Sequence, residues 1–163
     1  MIGRAGCGKT YLMNCVNKYL CEKLEAPGIM RLAAPTGTAA FQVGGETLHS
    51  LLQLPVPAPK KDPAPKLSRD QLKRLQDDLE KCEMLVIDEV SMLSPLRLYQ
   101  IDQRLRQAKP KKANKLFGGV SIVLMGDFAQ LPPVCDKALF EVLLLSYFIL
   151  EKRKQFLFYS KLW

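Results

Sequence analysis

Residues 3–10 constrain the fold more than any other stretch, because they read Gly-Arg-Ala-Gly-Cys-Gly-Lys-Thr. The three glycines can adopt backbone angles that point successive N–H groups into one concavity. A lysine and a threonine at the end of such a loop suit a phosphate chain and its Mg²⁺ ion. We therefore expect a phosphate-binding loop that opens a helix, whose positive end faces the phosphates. The alternative is a glycine-rich turn that only looks like this motif.

The loop assigns candidate roles to its residues. Lys9 would reach the outer phosphates as a point charge, and the Thr10 hydroxyl would ligate Mg²⁺. The candidate nucleotide-binding residues are Gly3, Ala5, Gly6, Cys7, Gly8, Lys9 and Thr10. Such a loop normally follows a buried strand, but only two residues precede Gly3. We therefore expect the first strand to be largely missing and the chain to be truncated.

Composition limits the class of protein. The chain has 163 residues, of which 48% are hydrophobic and 25% charged, as expected for one soluble globular domain. The formal net charge of +8 favours a polyanionic partner without saying which one. Five cysteines without a C-x-x-C pair, and a single histidine, argue against a zinc site and for reduced intracellular thiols. The apolar run at 139–150 is too short to span a bilayer, so no membrane partner is expected.

Helical and strand patterns alternate along the first part of the chain. Apolar residues after Lys9 recur at helical spacing and predict a helix that Pro27 and Gly28 end. Residues 29–33 predict a buried strand, and the turn at 34–40 opens a short helix. The buried stripe predicted for the first helix consists of Leu12, Cys15, Val16, Tyr19, Leu20 and Leu24.

The same alternation continues after a proline-rich excursion at 55–65. Ser68 begins a capping-box pattern, and Ser94-Pro95 begins another helix. Two apolar runs, 84–89 and 120–125, predict buried strands. This order predicts an α/β fold, with a mainly parallel sheet and helices on both faces. Residues 143–150 fit a strand or a buried helix, and 156–159 fit a strand.

Polar groups follow the two later strands. Asp88 and Glu89 close the first, where Asp88 would hold Mg²⁺ and Glu89 would polarise the attacking water. The alternative is that the two acids only cap the end of a strand. The phosphate-binding loop upstream makes this interpretation the weaker one. Gln130 follows the second strand and could touch a γ-phosphate without adding charge. A surface glutamine before a Pro-Pro turn explains it equally well on chemistry alone.

Two further groups could contact a nucleic acid. Small polar residues on loops can hydrogen-bond a nucleic-acid backbone, although a lone histidine is more often packed or solvated. They are Thr36, Thr38, Thr47, His49 and Ser50. A run of six basic residues lies between Arg104 and Lys115, and it fits a solvated helix end or a polyanion attractor equally well.

Five segments in order, GRAGCGKT, AAPTGTAA, TLHS, VIDEVSML and GDFAQLPPV, resemble superfamily-one DNA helicases of the Pif type (petite integration frequency). Longer segments are similar to the helicase part of rolling-circle transposons, the Helitrons. They are FQVGGETLHSLLQLPV, and QIDQRLRQ together with FGGVSIVLMGDFAQLPPV. The resemblance covers roughly residues 3–140, and several motifs in order are far more specific than a lone loop.

The resemblance implies the first RecA-like P-loop NTPase domain of an ATP-dependent DNA helicase that moves 5′ to 3′ on single-stranded DNA. Proteins of this class serve DNA repair, recombination and telomere maintenance. ATP and Mg²⁺ are the implied cofactors, and the nucleus or the mitochondrion the implied compartment. The implied catalytic residues are Lys9, Glu89 and Gln130, and the metal ligands Thr10 and Asp88. The implied DNA-binding residues are Pro35, Thr36, Gly37, Thr47, His49 and Ser50.

The resemblance also implies a domain plan. Residues 1–140 would form the RecA-like domain and 141–163 a divergent tail that matches no motif. The family's adenine-reading glutamine would lie upstream, and a second RecA-like domain with the arginines that complete the ATP site would follow. We therefore expect an incomplete helicase fragment. The alternative is a nucleotide- or DNA-binding module without turnover, or a non-functional remnant.

Overall fold

The structure is a computed structural model, and it describes residues 1–4, 6–23, 25–55, 64–133 and 137–139. Its helices and strands follow in the order α1 (Lys9–Lys23), β1 (Met30–Ala34), α2 (Gly37–Gln42), β2 (Glu46–Thr47), α3 (Leu48–Leu51), α4 (Arg69–Leu79), β3 (Met84–Ile87), α5 (Pro95–Ala108) and β4 (Ser121–Leu124). The predicted tail at 141–163, and most of the proline-rich excursion, lie outside the described residues.

The four strands form one parallel sheet in the order β2-β1-β3-β4. Met30 pairs with Met84, and Met84 pairs with Ser121, so the three long strands start level. All their carboxyl ends therefore meet at one edge of the sheet, which we call the carboxyl edge. The predicted parallel α/β sheet is confirmed.

The first residues of the chain extend this sheet beside β4. Ile2 forms a parallel bridge with Gly126. The Gly126 N–H donates to the Met1 carbonyl at 3.3 Å, and the Gly3 N–H donates to the Gly126 carbonyl at 3.1 Å. These bonds hold the start of the glycine-rich loop at the carboxyl edge.

Alternating strand residues build two cores, one on each face of the sheet. In β3, Leu85 and Ile87 join the larger core, and Val86 joins the smaller one. Residues from α3, α4 and α5 cover the larger core, and α1 covers the smaller one. Helices on both faces are thus confirmed. Among the described helices, none is long and apolar enough to cross a membrane.

The stripe predicted for α1 is partly wrong. Val16 and Leu20 pack against the smaller core together with Met13, which the prediction omitted. Leu12 and Tyr19 instead are 49% and 59% exposed. Apolar residues lie on two adjacent faces of this helix, so spacing alone could not say which face meets the sheet.

The predicted helix starts are confirmed by their caps. Ser68 Oγ accepts a hydrogen bond from the Gln71 N–H at 3.2 Å, and Gln71 Oε1 accepts from the Ser68 N–H at 3.0 Å. Ser94 Oγ accepts from the Arg97 N–H at 3.3 Å, and Pro95 occupies the first turn. Each cap satisfies N–H groups that have no partner within their own helix.

Most of the basic run is engaged in structural contacts. Arg104 is only 1% exposed and donates to the Pro65 carbonyl at 2.9 Å. Lys109 Nζ donates to the Glu80 carbonyl at 2.7 Å, and Lys112 Nζ lies 3.2 Å from Glu83 Oε2. Glu83 directly precedes β3, so these contacts lie at the amino ends of the strands, opposite the carboxyl edge.

Candidate active site

The loop at residues 3–10 has the backbone shape that its glycines predict. Gly6 and Gly8 have φ angles of 75° and 82°, which side chains with a Cβ rarely adopt. A Cβ added at either position would meet nothing within 4 Å, so the backbone angle and not crowding demands glycine here. Ala5, a predicted nucleotide-binding residue, lies outside the described residues.

Lys9 folds back over this loop. Its Nζ atom donates to the Gly3 carbonyl at 2.6 Å and to the Arg4 carbonyl at 2.9 Å, and it lies 3.7 Å from Cys7 Sγ. An ammonium group has three protons, and sulfur is a weak acceptor. The two carbonyls therefore orient the charge and leave one strong donor for a ligand of the loop. Thr10 follows in the first turn of α1.

Asp88 and Glu89 lie at the carboxyl end of β3. The Asp88 N–H donates to the Ala33 carbonyl at 2.9 Å, which continues the pairing with β1 past the strand end. Glu89 has φ 55° and ψ 48°, a left-handed conformation that costs a non-glycine residue about 1–2 kcal/mol. Asp88 Oδ1 accepts from the Glu89 N–H at 2.9 Å and stabilises this turn.

Gly126 permits the close approach behind Glu89. The Val90 N–H donates to the Met125 carbonyl at 3.0 Å, which ties the turn to the end of β4. A Cβ on Gly126 would lie 2.8 Å from the Val90 nitrogen, and its φ angle is 148°. Only glycine fits here without moving the backbone beside Glu89.

Gln130 contacts Glu89 directly. The end of the Gln130 carboxamide lies 2.6 Å from Glu89 Oε2 and 3.3 Å from Oε1. We assign the amide nitrogen to this end, because an amide oxygen there would face only acceptors, and so Gln130 donates to the carboxylate. A tight turn directs it there: the Gln130 N–H donates to the Asp127 carbonyl at 3.1 Å, and the Ala129 N–H donates to Asp127 Oδ1 at 3.0 Å. The structure therefore brings two predicted site residues into contact.

Burial and nearby charged side chains shift the pKa of Glu89. Burial chiefly raises the pKa of Glu89, Asp88 and Asp127 raise it further, and the positive charge of Lys9 opposes them. The loop lysine and the acids at the strand ends are thus close enough to influence Glu89 electrostatically. Asp127 is a site residue that sequence reasoning missed. Its position directly after a buried strand and a glycine was the available signal.

The candidate DNA-binding residues occupy the same edge, at the ends of β1 and β2. Two of their hydroxyls serve as helix caps: Thr36 Oγ1 accepts from the Ala39 N–H at 3.3 Å, and Thr47 Oγ1 accepts from the Ser50 N–H at 3.1 Å. Gly37 and Ser50 are exposed, and Pro35 is partly exposed.

The His49 ring is less exposed to solvent than a predicted contact with DNA would suggest. Its Nε2 atom is buried and has no hydrogen-bond partner among the described residues. Burial, and to a smaller extent the charge of Arg97, lower the pKa of His49. The ring is therefore neutral at pH 7, and this nitrogen does not face the solvent at the edge.

A family model described as PIF1-like helicase matches residues 1–147, which includes both halves of this site. The chain belongs to the PIF1-like helicase family. The resemblance of its motifs to Pif-type helicases is confirmed, whereas the finer likeness to the Helitron branch stays a prediction.

One relative in the PIF1-like helicase family is the ATP-dependent DNA helicase Pif1 of Psychrobacter sp. It is 36% identical over 137 residues, which cover 82% of this chain and 19% of that protein. The chain thus spans about a fifth of the length of this relative.

Two solved structures of the PIF1-like helicase family share the fold. Bacteroides sp. Pif1 in complex with ADP-AlF4 has a TM-score of 0.63 and 42% identity, over 87% of this chain and 31% of that one. Bacteroides Pif1 bound to single-stranded DNA has a TM-score of 0.64 and 41% identity, over the same shares. The predicted RecA-like fold is confirmed.

Proposed function

We propose that this chain is the nucleotide-binding motor domain of an ATP-dependent DNA helicase. The observation that carries the proposal is the convergence of Lys9, held by its own loop, with Asp88, Glu89 and Gln130 at one edge of a parallel sheet. The names of its relatives support a helicase, and the Bacteroides complex with ADP-AlF4 supports nucleotide binding at such a domain.

Each residue has a distinct role in the proposed hydrolysis. Lys9 binds the outer phosphates through the ammonium N–H that does not donate to a carbonyl of the loop. Gln130 contacts the γ-phosphate. Glu89 accepts the proton of the water that attacks phosphorus in line, so that ADP and phosphate leave. Glu89 suits a base because burial and the neighbouring Asp88 raise the pKa of its carboxyl above that of an exposed glutamate.

Asp88 and Thr10 are the proposed ligands of Mg²⁺. The donor set fits this ion, because Mg²⁺ prefers hard oxygen ligands and takes few from the protein. The carboxylate of Asp88 would hold the metal, while its Oδ1 also accepts the Glu89 N–H. When bound, the ion would offset the negative charge that develops on the phosphates.

Single-stranded DNA is the proposed track. The residues proposed to contact its backbone lie at the ends of β1 and β2 or directly after them: Pro35, Thr36, Gly37, Thr47, His49 and Ser50. The Bacteroides Pif1 structure bound to single-stranded DNA supports this partner. We further infer movement 5′ to 3′ through opening and closing against a second motor domain, and a role in DNA repair or recombination.

Nucleotide binding is tested with Lys9→Ala. A charge-assisted phosphate contact is worth roughly 1.5–3 kcal/mol, so Mg-ATP affinity should fall about 10- to 100-fold by calorimetry. The matched control is Lys18→Ala on the same helix, whose ion pair with Glu22 is exposed and 3.8 Å long. Equal affinity in the Lys9 variant and the parent chain would show that the loop does not bind phosphate.

Hydrolysis is tested by ATPase assays with and without single-stranded DNA. The chain is assayed alone and fused to the second motor domain of Bacteroides Pif1, because its relatives are several times longer. DNA-stimulated turnover that Glu89→Gln abolishes supports the motor. ATP binding without turnover in either form would favour the alternative, a binding module.

The compartment and the domain limits stay predictions. The family includes a bacterial protein, so membership alone does not assign the nucleus or the mitochondrion. The boundary at residue 140 and the separate tail at 141–163 lie outside the described residues.

A further inference from the structure

The side chains of Gln130 and Glu89 lie at hydrogen-bonding distance, which is shorter than a van der Waals contact. One oxygen of the carboxylate lies 2.6 Å from the carboxamide and the other 3.3 Å. Two acceptor oxygens at such a distance would repel each other, whereas an amide nitrogen donates to an ionised carboxylate favourably. The amide therefore sits across the carboxylate with its N–H groups facing it.

Both partners are held by their backbones. Glu89 has its left-handed φ of 55°, and the Asp88 carboxylate accepts its N–H. Two bonds hold the turn that carries Gln130: the Asp127 carbonyl accepts from the Gln130 N–H, and Asp127 Oδ1 accepts from the Ala129 N–H. Both side chains thus start from hydrogen-bonded turns, and they meet without any movement of the main chain.

The contact also interferes with the proposed chemistry. A general base must reach the proton of its water with a free lone pair. A charge-assisted hydrogen bond from the amide occupies a lone pair of the nearer carboxylate oxygen and holds the carboxylate in one orientation. Glu89 is therefore restrained as long as Gln130 faces it.

We propose that Gln130 is a positioning residue that clasps Glu89 at rest and exchanges the carboxylate for the γ-phosphate when ATP binds. The inference rests on the proposed function, because it gives a second task to the γ-phosphate sensor. When ATP is bound, Gln130 contacts the γ-phosphate and Glu89 is released to act as the base. When ADP is bound, there is no γ-phosphate and Gln130 stays on Glu89.

The first test needs no nucleotide. In the free chain labelled with ¹⁵N, the side-chain amide signal of Gln130 is identified by its loss in Gln130→Ala. Glu89→Ala should shift this signal, while the signal of Gln53, which donates to the Gln71 carbonyl at 3.1 Å, stays in place. Glu83→Ala, at the opposite edge of the sheet, should shift neither. A Gln130 signal that ignores Glu89→Ala overturns the clasp.

The second test measures the exchange as the ratio of ATP affinity to ADP affinity. Glu89→Ala removes both a repulsive charge and the clasp, whereas in a Gln130→Ala background it removes only the charge. One hydrogen bond corresponds to about 3- to 10-fold, so the ratio should rise by that much more when Gln130 is present. An equal rise in both backgrounds overturns the exchange.

The two tests separate this inference from the proposed function. A chain that binds no ATP would refute the proposed function, while the amide signals still decide whether the clasp exists. Glu89→Gln serves as a further control, because its side-chain oxygen keeps an acceptor for Gln130 without the charge. Its Gln130 signal should lie closer to the parent position than in Glu89→Ala, and the opposite order would count against the clasp.

Discussion

Replacing Gly126 by alanine tests whether the site depends on the close approach of two strand ends. The added Cβ would lie 2.8 Å from the Val90 nitrogen and 3.1 Å from Val90 Cγ1. Real Cβ atoms do not approach a backbone nitrogen so closely, so the turn that carries Glu89 must move away from β4. The hydrogen bond from the Val90 N–H to the Met125 carbonyl is the first contact to lengthen.

The magnitude follows from two terms. A non-glycine residue at φ 148° costs on the order of 1–3 kcal/mol. The weakened bond between Val90 and Met125 adds about 1 kcal/mol. We therefore expect the free energy of unfolding to fall by about 2–4 kcal/mol, or roughly 5–15 °C in Tm for a domain of this size.

Urea unfolding followed by far-UV circular dichroism measures this loss. The matched control is Gly37→Ala, because a Cβ there meets nothing within 4 Å and its φ is not positive. That variant should stay within about 0.5 kcal/mol of the parent or gain stability. Gly126→Ala with the stability and ATP affinity of the parent chain would refute the packing argument.

Three further changes probe contacts away from the catalytic carboxylate. Folding lowers the pKa of His49, so the stability that its neutral form contributes is present above the ordinary pKa of about 6.5 and is lost as pH falls below it. His49→Gln should therefore lose less stability than the parent between about pH 7.5 and pH 5.5 in urea titrations, and an equal loss contradicts this. Lys109→Ala should cost about 1–2 kcal/mol in the same assay, because its side chain is 11% exposed and donates to a carbonyl, whereas the exposed Lys111→Ala should change less than about 0.5 kcal/mol. Ser68→Ala should cost about 1 kcal/mol through loss of the capping box, and thermal unfolding unchanged from the parent would disprove that role.

Local rules in the sequence were sufficient for much of the fold. The glycine-rich loop depends on eight consecutive residues, and the caps at Ser68 and Ser94 each depend on a residue three positions further along the chain. The apolar runs that became β3 and β4 were recognisable because the strands of a parallel sheet are apolar over most of their length. β3 is buried as predicted, whereas the prediction of a buried strand is wrong for β4, whose residues are only partly buried or exposed. Even the carboxyl edge could be foreseen, since polar residues that end parallel strands must meet there.

Tertiary structure decided the contacts between segments distant in the chain. The face of α1 that meets the sheet depends on where the sheet lies, because Leu12 and Val16 are equally apolar in sequence. The basic run fitted a solvated surface, yet Arg104 is buried, and the carbonyl of Pro65, 39 residues away, accepts its hydrogen bond.

The pairing of Gln130 with Glu89 shows the same limit at the site itself. Sequence alone determined that an acid and an amide follow two buried strands, and so that both belong to the carboxyl edge. It could not place them within 2.6 Å of each other, because that distance depends on the left-handed turn at Glu89 and on Gly126 beside Val90. Such distances arise from the packing of whole strands, which local patterns do not encode.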